Sequence, residues 1–208
     1  MSTLELSPTQ AAQLDEFADL VASSPHNLVS RRARSELRSR HVPEAVSLAR
    51  MLPTGAARVL DIGSGGGFPG LVIAIVRTDL DVHLLEATRK KVDFLRDTAA
   101  ALDLGVTVHH GRAEELARSP ELAGRFEVVT ARAVAALRDL VPLTVPFLAE
   151  GGVVYAVKGE RWRAELDEAT DALRRARASV LATPDDETPS HRSSRDHQPR
   201  VVMLGRSR

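Results

Sequence analysis

The stretch Asp61-Ile62-Gly63-Ser64-Gly65-Gly66-Gly67-Phe68-Pro69-Gly70 follows a short apolar run and precedes residues able to form a helix. Glycines in a strand-to-helix turn let backbone N–H groups and a helix N-terminus approach a ligand closely, because no Cβ intervenes. The chemistry to expect is a cradle for a small nucleotide-like molecule; a tight turn alone is the plainer alternative. Glu86, at the end of the next apolar run, is placed to accept hydrogen bonds from both hydroxyls of a ribose. A third run ends in Gly111-Arg112-Ala113-Glu114, which would bring the Ala113 N–H and the Glu114 carboxylate to an adenine edge. A solvated helix-start acid beside Glu115 is the alternative for Glu114. Arg132 and Lys158 end the fourth and fifth runs, so both cations fall on the same edge and are candidate catalytic residues, with Lys158 able to present a free cation to RNA backbone or a base oxygen. An arginine there suits a substrate that must be positioned through phosphate or base contacts but not deprotonated, the plainer alternative being a strand-end residue paired with a carboxylate. The N7 atom of guanine is such a nucleophile: its in-plane lone pair carries no proton, so direct attack needs no general base.

Two cofactors compete for the glycines. Gly65, Gly67 and Gly70 match G-x-G-x-x-G, the pattern of an NAD(P)-dependent oxidoreductase. Asp61, two residues before Gly63, instead gives D-x-G-x-G-x-G, the first motif of S-adenosylmethionine-dependent methyltransferases. An aspartate there can orient the loop and sit near the cationic amino-acid end of that cofactor, where it would repel a pyrophosphate. The oxidoreductase also lacks an evident Tyr-Lys proton donor, Tyr155 being the only tyrosine. A third reading is a non-catalytic RNA-binding assembly factor that keeps a decayed pocket.

The elements that must position these residues alternate. Short apolar runs at Arg58 to Ile62, Val82 to Glu86, Val106 to His110, Phe126 to Thr130 and Gly152 to Val157 read as strands, with Val180 to Ala182 and Arg200 to Leu204 as two more. Helical spacing over Gly70 to Val76, Arg89 to Leu102 and Arg161 to Ala178 supplies the crossovers. This predicts a doubly wound, mostly parallel seven-stranded α/β sheet covered on both faces. Before it, Ser7-Pro8-Thr9-Gln10 reads as a capped helix start, Asn27 to Ser30 as a break, and Glu36 to Leu52 as a second helix. The expected division is a helical N-terminal cap over 1–55 and a methyltransferase domain over 56–208.

Composition narrows the classes. With 208 residues, one compact domain is expected, and without cysteine there is no disulfide, thiolate nucleophile or Cys-ligated metal. The histidines show no H-x-x-x-H pair, so no metal site is expected. No segment reaches the length of a membrane span and no signal sequence is evident, which predicts a cytoplasmic protein. Twenty-eight basic residues balance 28 acidic ones, excluding a histone-like coat but not a local basic face. Only three of the basic residues are lysines. Arg31, Arg32, Arg34, Arg38 and Arg40, with His191, Arg192, Arg195, His197 and Arg200, could line a basic rim around the pocket. The stretch Pro184 to Pro199 reads as a mobile loop.

On these residues the chain resembles the bacterial 16S ribosomal RNA guanine-N7 methyltransferase family, RsmG or GidB. The resemblance runs from about Asn27 to the C-terminus. It is carried by Asn27-Leu28-Val29-Ser30, Arg40-His41, the Asp61 to Gly70 stretch with its Phe68-Pro69-Gly70 ending, Ile75-Val76-Arg77, Arg112-Ala113-Glu114-Glu115, Ala131-Arg132-Ala133 and Lys158-Gly159. It implies a Rossmann-like class I fold and a monomer that methylates N7 of one guanosine in the 530 loop of 16S rRNA, in the small ribosomal subunit or its assembly intermediate. It also implies that loss of function gives low-level streptomycin resistance. By motif it carries Gly63, Phe68, Ala113, Glu114 and Arg132 over as positions of the S-adenosylmethionine pocket. The family's usual Asp-Ser after the histidine is replaced here by Glu44-Ala45, so His41 is not expected to be essential.

Overall fold

The protein is described by a computed structural model covering residues 5–55, 57–186 and 198–207. Seven strands form one sheet: β1 (Arg58–Ile62), β2 (Asp81–Glu86), β3 (Thr107–His110), β4 (Phe126–Arg132), β5 (Leu148–Lys158), β6 (Ala178–Ala182) and β7 (Arg200–Arg206). Their order is β3-β2-β1-β4-β5-β7-β6, and β7 alone runs antiparallel to its neighbours. The order reverses between β1 and β4, so the carboxyl ends Ile62 and Arg132 flank the crevice where α/β sheets bind ligands.

The strands are apolar throughout because both faces are covered. Val59, Val82, Leu84 and Val128 join one core with helices α1 (Pro8–Ser23), α3 (Val42–Met51), α4 (Gly70–Val76) and α5 (Arg89–Ala101). Leu60, Ile62, Val129 and Ala131 point the other way, toward α7 (Leu137–Thr144), α8 (Trp162–Glu168) and α9 (Thr170–Ala176). The N-terminal helices share the first core with the sheet. Polar ties reinforce this docking: buried Arg77 donates to the carbonyls of Ala49, Leu52 and Pro53 at the end of α3, and Gln10 donates to Ile75 and Val76 at the end of α4. Each answers helix-end carbonyls that would otherwise lack partners. Gln10 also completes the capping box with Ser7 that begins α1.

Three expected segments differ. The helix foreseen from Glu36 begins earlier, as α2 (Arg31–Ser35) capped by the Ser30 hydroxyl, widens to a π-helical turn over Leu37–His41, and resumes as α3. Pro43 explains the widening, since it has no N–H and its ring crowds the preceding turn. The helix foreseen over Arg161 to Ala178 breaks at Ala169, where the Thr170 hydroxyl takes the Asp167 carbonyl and competes with the backbone ladder. Strand β5 starts at Leu148 rather than Gly152, with a register shift against β4 between Phe126 and Val128. Most of the Pro184 to Pro199 loop lies outside the described residues, as do His191, Arg192, Arg195 and His197.

Candidate active site

The glycine loop is held from below. Asp61 is fully buried, and its two carboxylate oxygens accept from the Gly70 N–H (3.2 Å) and the Thr130 hydroxyl (2.8 Å). Burial pushes its pKa up to about 6, against the pull of these hydrogen bonds. Asp61 thus occupies the start of α4, the place where a pyrophosphate would sit in a dinucleotide enzyme. The expected contribution of that helix N-terminus to the cradle is absent: Gly70 N–H is answered by Asp61, and the Leu71 N–H by the Gly67 carbonyl.

The loop's glycines divide by direction. A Cβ on Gly70 would lie 2.3 Å from Leu84 Cδ2, and one on Gly67 would lie 2.6 Å from Leu71 Cδ1 and 3.1 Å from Phe17. These two are glycine because the core leaves no room, so Gly67 serves packing behind the loop. At Gly65, with φ +55°, a Cβ would meet nothing closer than 3.7 Å, and its N–H donates to Glu86 Oε2 (3.0 Å). The other Glu86 oxygen accepts from the Thr88 N–H (2.8 Å). A carboxylate has about four acceptor sites, so this buried pair of oxygens retains two for ribose hydroxyls.

Above the loop lies a hollow of about 360 Å³ lined by Gly63, Ser64, Gly65, Gly66, Phe68 and His41, among others. Leu28 and Val29 close it from the N-terminal segment. Ala113 is buried in the first turn of the short α6 (Ala113–Leu116), beyond the end of β3, with Glu114 exposed beside it. Neither lines the 360 Å³ hollow.

A second hollow of about 710 Å³ opens on the other side of Arg132. Arg32, Arg40, Lys158 and Arg200 give it a cationic wall, with Glu44, Glu160 and Glu165 as its acids. Arg132 and Ala133 line both hollows, so the end of β4 is a shared partition. The Arg132 guanidinium is largely buried, lies 5.9 Å from the centre of the Phe68 ring, and contacts His41 Nδ1 and Glu44 Oε2 (3.2 Å). Burial lowers its pKa, against the pull of Glu44. Ala133 holds a left-handed backbone, φ +54°, which costs a non-glycine residue about 1–2 kcal/mol.

Lys158 holds that strained turn. Its ammonium donates to the Ala135 carbonyl (2.7 Å) and pairs with Glu165 Oε2 (2.6 Å), which also accepts from the Leu137 N–H (3.0 Å). The expectation that Lys158 offers a free cation to RNA therefore differs from this structure, where burial beside Glu165 makes it a clamp on the 133–137 turn. Sequence reasoning placed neither His41 nor Glu44 among the site residues. His41 lines the smaller hollow with its Nε2 enclosed and unpartnered, and Glu44 lines the larger one. The signal was the Arg40-His41 pair ahead of an acid one helical turn on, which the π turn brings against Arg132.

The family model described as rRNA small subunit methyltransferase G matches residues 10–193. The chain belongs to the rRNA small subunit methyltransferase G family. Among its relatives, the small subunit methyltransferase G of Sorangium cellulosum is 46% identical over 173 residues, covering 81% of this chain and 72% of that protein. The one from Streptococcus pneumoniae serotype 19F is 35% identical over 175 residues, covering 82% and 74%. In fold, the chain resembles a putative S-adenosyl-L-methionine-dependent methyltransferase of Methanococcus maripaludis, with a TM-score of 0.63 at 10% identity over 100% of this chain and 98% of that one. Membership of the methyltransferase G family sets the oxidoreductase and non-catalytic readings aside. Tyr155 agrees, being packed in the core against the first face of the sheet. Among the described residues no helix is long and apolar enough to cross a membrane, and no group of side chains is arranged to hold a metal.

Proposed function

We propose that this enzyme transfers the methyl group of S-adenosylmethionine to N7 of a guanosine in the 530 loop of 16S rRNA, within the small subunit or its assembly intermediate. The observation that carries the reading is the partition at Arg132 and Ala133, with a glycine-lined hollow on one side and a cationic hollow on the other. When bound, S-adenosylmethionine supplies an electrophilic methyl on a sulfonium. Gly63, Gly65, Phe68 and Glu86 would hold it, Asp61 and Gly67 would shape the loop beneath, and Ala113 and Glu114 would take its adenine end.

Phosphates and base enter from the side of Arg32, Arg40 and Arg200, where guanidinium forks favour phosphate oxygens. The bound cofactor would supply its methyl to the guanine N7 lone pair, its sulfur keeping the bonding electrons. No proton leaves N7, which suits a partition built on a guanidinium that cannot accept one. Arg132 orients the partners, and Lys158 acts on the reaction through the turn it clamps. The protein would act as a monomer in the cytoplasm, with residues 1–55 as a cap on the catalytic domain.

The test is mapping of N7-methylguanosine in 16S rRNA from cells with and without this gene. The expected result is loss of one modification in the 530 loop, restored by the intact gene. An unchanged map would overturn the assignment.

A further inference from the structure

Glu44 is unusual among the acids of the larger hollow. Glu165 is committed to Lys158 and the Leu137 N–H, and Glu160 is exposed on the turn after β5. The Glu44 side chain is only 14% exposed and lies against Arg132, the residue shared by both hollows. Burial pushes its carboxyl up, but contacts with His41, Arg40 and Arg132 outweigh this and hold it at about 2. It is therefore an anion that accepts hydrogen bonds and donates none.

Its acceptor capacity is half used. Oε1 accepts from Arg40 Nε (2.8 Å) and Oε2 from Arg132 Nη2 (3.2 Å), leaving two of about four lone-pair sites. His41 Nδ1, at 3.7 Å from Oε2, is outside hydrogen-bond reach. The two hydrogens of Arg132 Nη2 can serve Glu44 and His41 together, which fixes the guanidinium beside the carboxylate. A cationic donor and an anionic acceptor thus stand side by side on one wall. The edge that complements such a pair carries an acceptor followed by donors.

We propose that Glu44 reads the Watson–Crick edge of the target base, accepting from guanine N1–H and the N2 amino group while Arg132 faces O6. The inference rests on the function proposed above and adds the device that selects guanine. Adenine would put its N1 lone pair against the carboxylate, a repulsion between two acceptors, so rejection is built in as well as recognition. The same carboxylate favours the reaction, because methylation of N7 leaves positive charge on the ring whose N1–H it accepts.

The experiment uses small subunits reconstituted with inosine at the methylated guanosine. Inosine keeps N7, O6 and N1–H and lacks only the N2 amino group. Wild-type enzyme is expected to show kcat/KM about tenfold or more lower on inosine. In Glu44→Gln, activity on guanosine falls and the guanosine-to-inosine ratio approaches one, while calorimetric binding of S-adenosylhomocysteine stays near wild type. If Glu44 only positions Arg132, both substrates slow equally and the ratio survives, which overturns the proposal. Wild-type enzyme that methylates inosine as fast as guanosine overturns it without any variant. No methylation of guanosine by the wild type would instead bring down the proposed function and this inference together.

Discussion

The two hollows that meet at Arg132 are built in opposite ways. The smaller is floored by one continuous stretch, with Gly63 to Gly66 and Phe68 beneath, Glu86 bracing the loop through the Gly65 N–H, and Leu28, Val29, Ser30 and Ala33 closing it from the N-terminal segment. The larger is made of long charged side chains from distant places: Arg32 and Arg40 near the N-terminus, Arg132 and Lys158 at strand ends, Arg200 at the start of β7. A backbone surface is fixed once the chain turns, and a side chain added on its open side takes the space left for a ligand. A surface of side chains is set by their pairings, and a single change there shifts charge without blocking space. The proposed cofactor and RNA sides should therefore fail differently when mutated.

The largest effect is expected for Gly65→Asp. Aspartate tolerates the left-handed backbone better than most residues, so the chain should fold, with an anion facing Glu86 in the cradle. S-adenosylhomocysteine affinity by calorimetry should fall at least about a hundredfold, in line with placing an uncompensated charge in a half-buried site. Retained affinity would contradict the backbone-built side of the comparison.

Arg132→Ala tests the partition. Removing a partly buried guanidinium with charged partners should lower kcat/KM about 10–100-fold and weaken both ligands. By contrast, Arg32→Ala, at a highly exposed side chain on the rim, should weaken RNA alone and reduce the salt slope of binding by about one. Equal effects of the two variants on cofactor binding would erase the distinction between the sides.

Asp61 supplies a test by pH. Its carboxyl has a folded pKa of about 6 against an ordinary 3.8, so the folded state binds the proton more tightly. The stability this gives is full below about pH 4 and is lost as pH rises through 6, on the order of 2–3 kcal/mol. Asp61→Asn keeps an acceptor for Gly70 N–H, and the Thr130 hydroxyl can reverse to accept from the amide. Its stability in urea, compared with wild type, should gain between pH 4 and 7; a constant difference would show that Asp61 does not titrate in that window.

The smallest effect is at the turn beyond Arg132. Ala133→Gly relieves a left-handed alanine and should raise stability by up to about 1 kcal/mol while loosening the partition. A lower midpoint in urea would mean that the turn is not strained.

The strand-end positions of Asp61, Glu86, Arg132 and Lys158 were legible in the sequence, because apolar runs ending in Gly or charge mark where a parallel strand meets the crevice. The divergent roles within the glycine loop were not. Gly65 and Gly67 are the same residue two positions apart, yet one faces the hollow and the other Leu71 and Phe17. Lys158 was read as a free cation because its partner Glu165 lies on a helix whose packing no local pattern reveals. The contact of Glu44 and His41 with Arg132 was not legible, because a regular helix over Glu36 to Leu52 gives no reason for them to meet it.

Alternation of buried strands with amphipathic helices, and the Asp-plus-glycine turn after the first strand, were determined by the sequence alone. These depend on neighbours in the chain: periodicity, missing Cβ atoms and capping hydroxyls act over a few residues. Tertiary structure alone decided which charges are free and which are paired, since Arg132 with Glu44 and Arg58 with Asp81 join residues far apart in the chain. Whether a charged side chain reaches a ligand or another side chain is a matter of burial and distance, and those exist only once the sheet has brought its edges together.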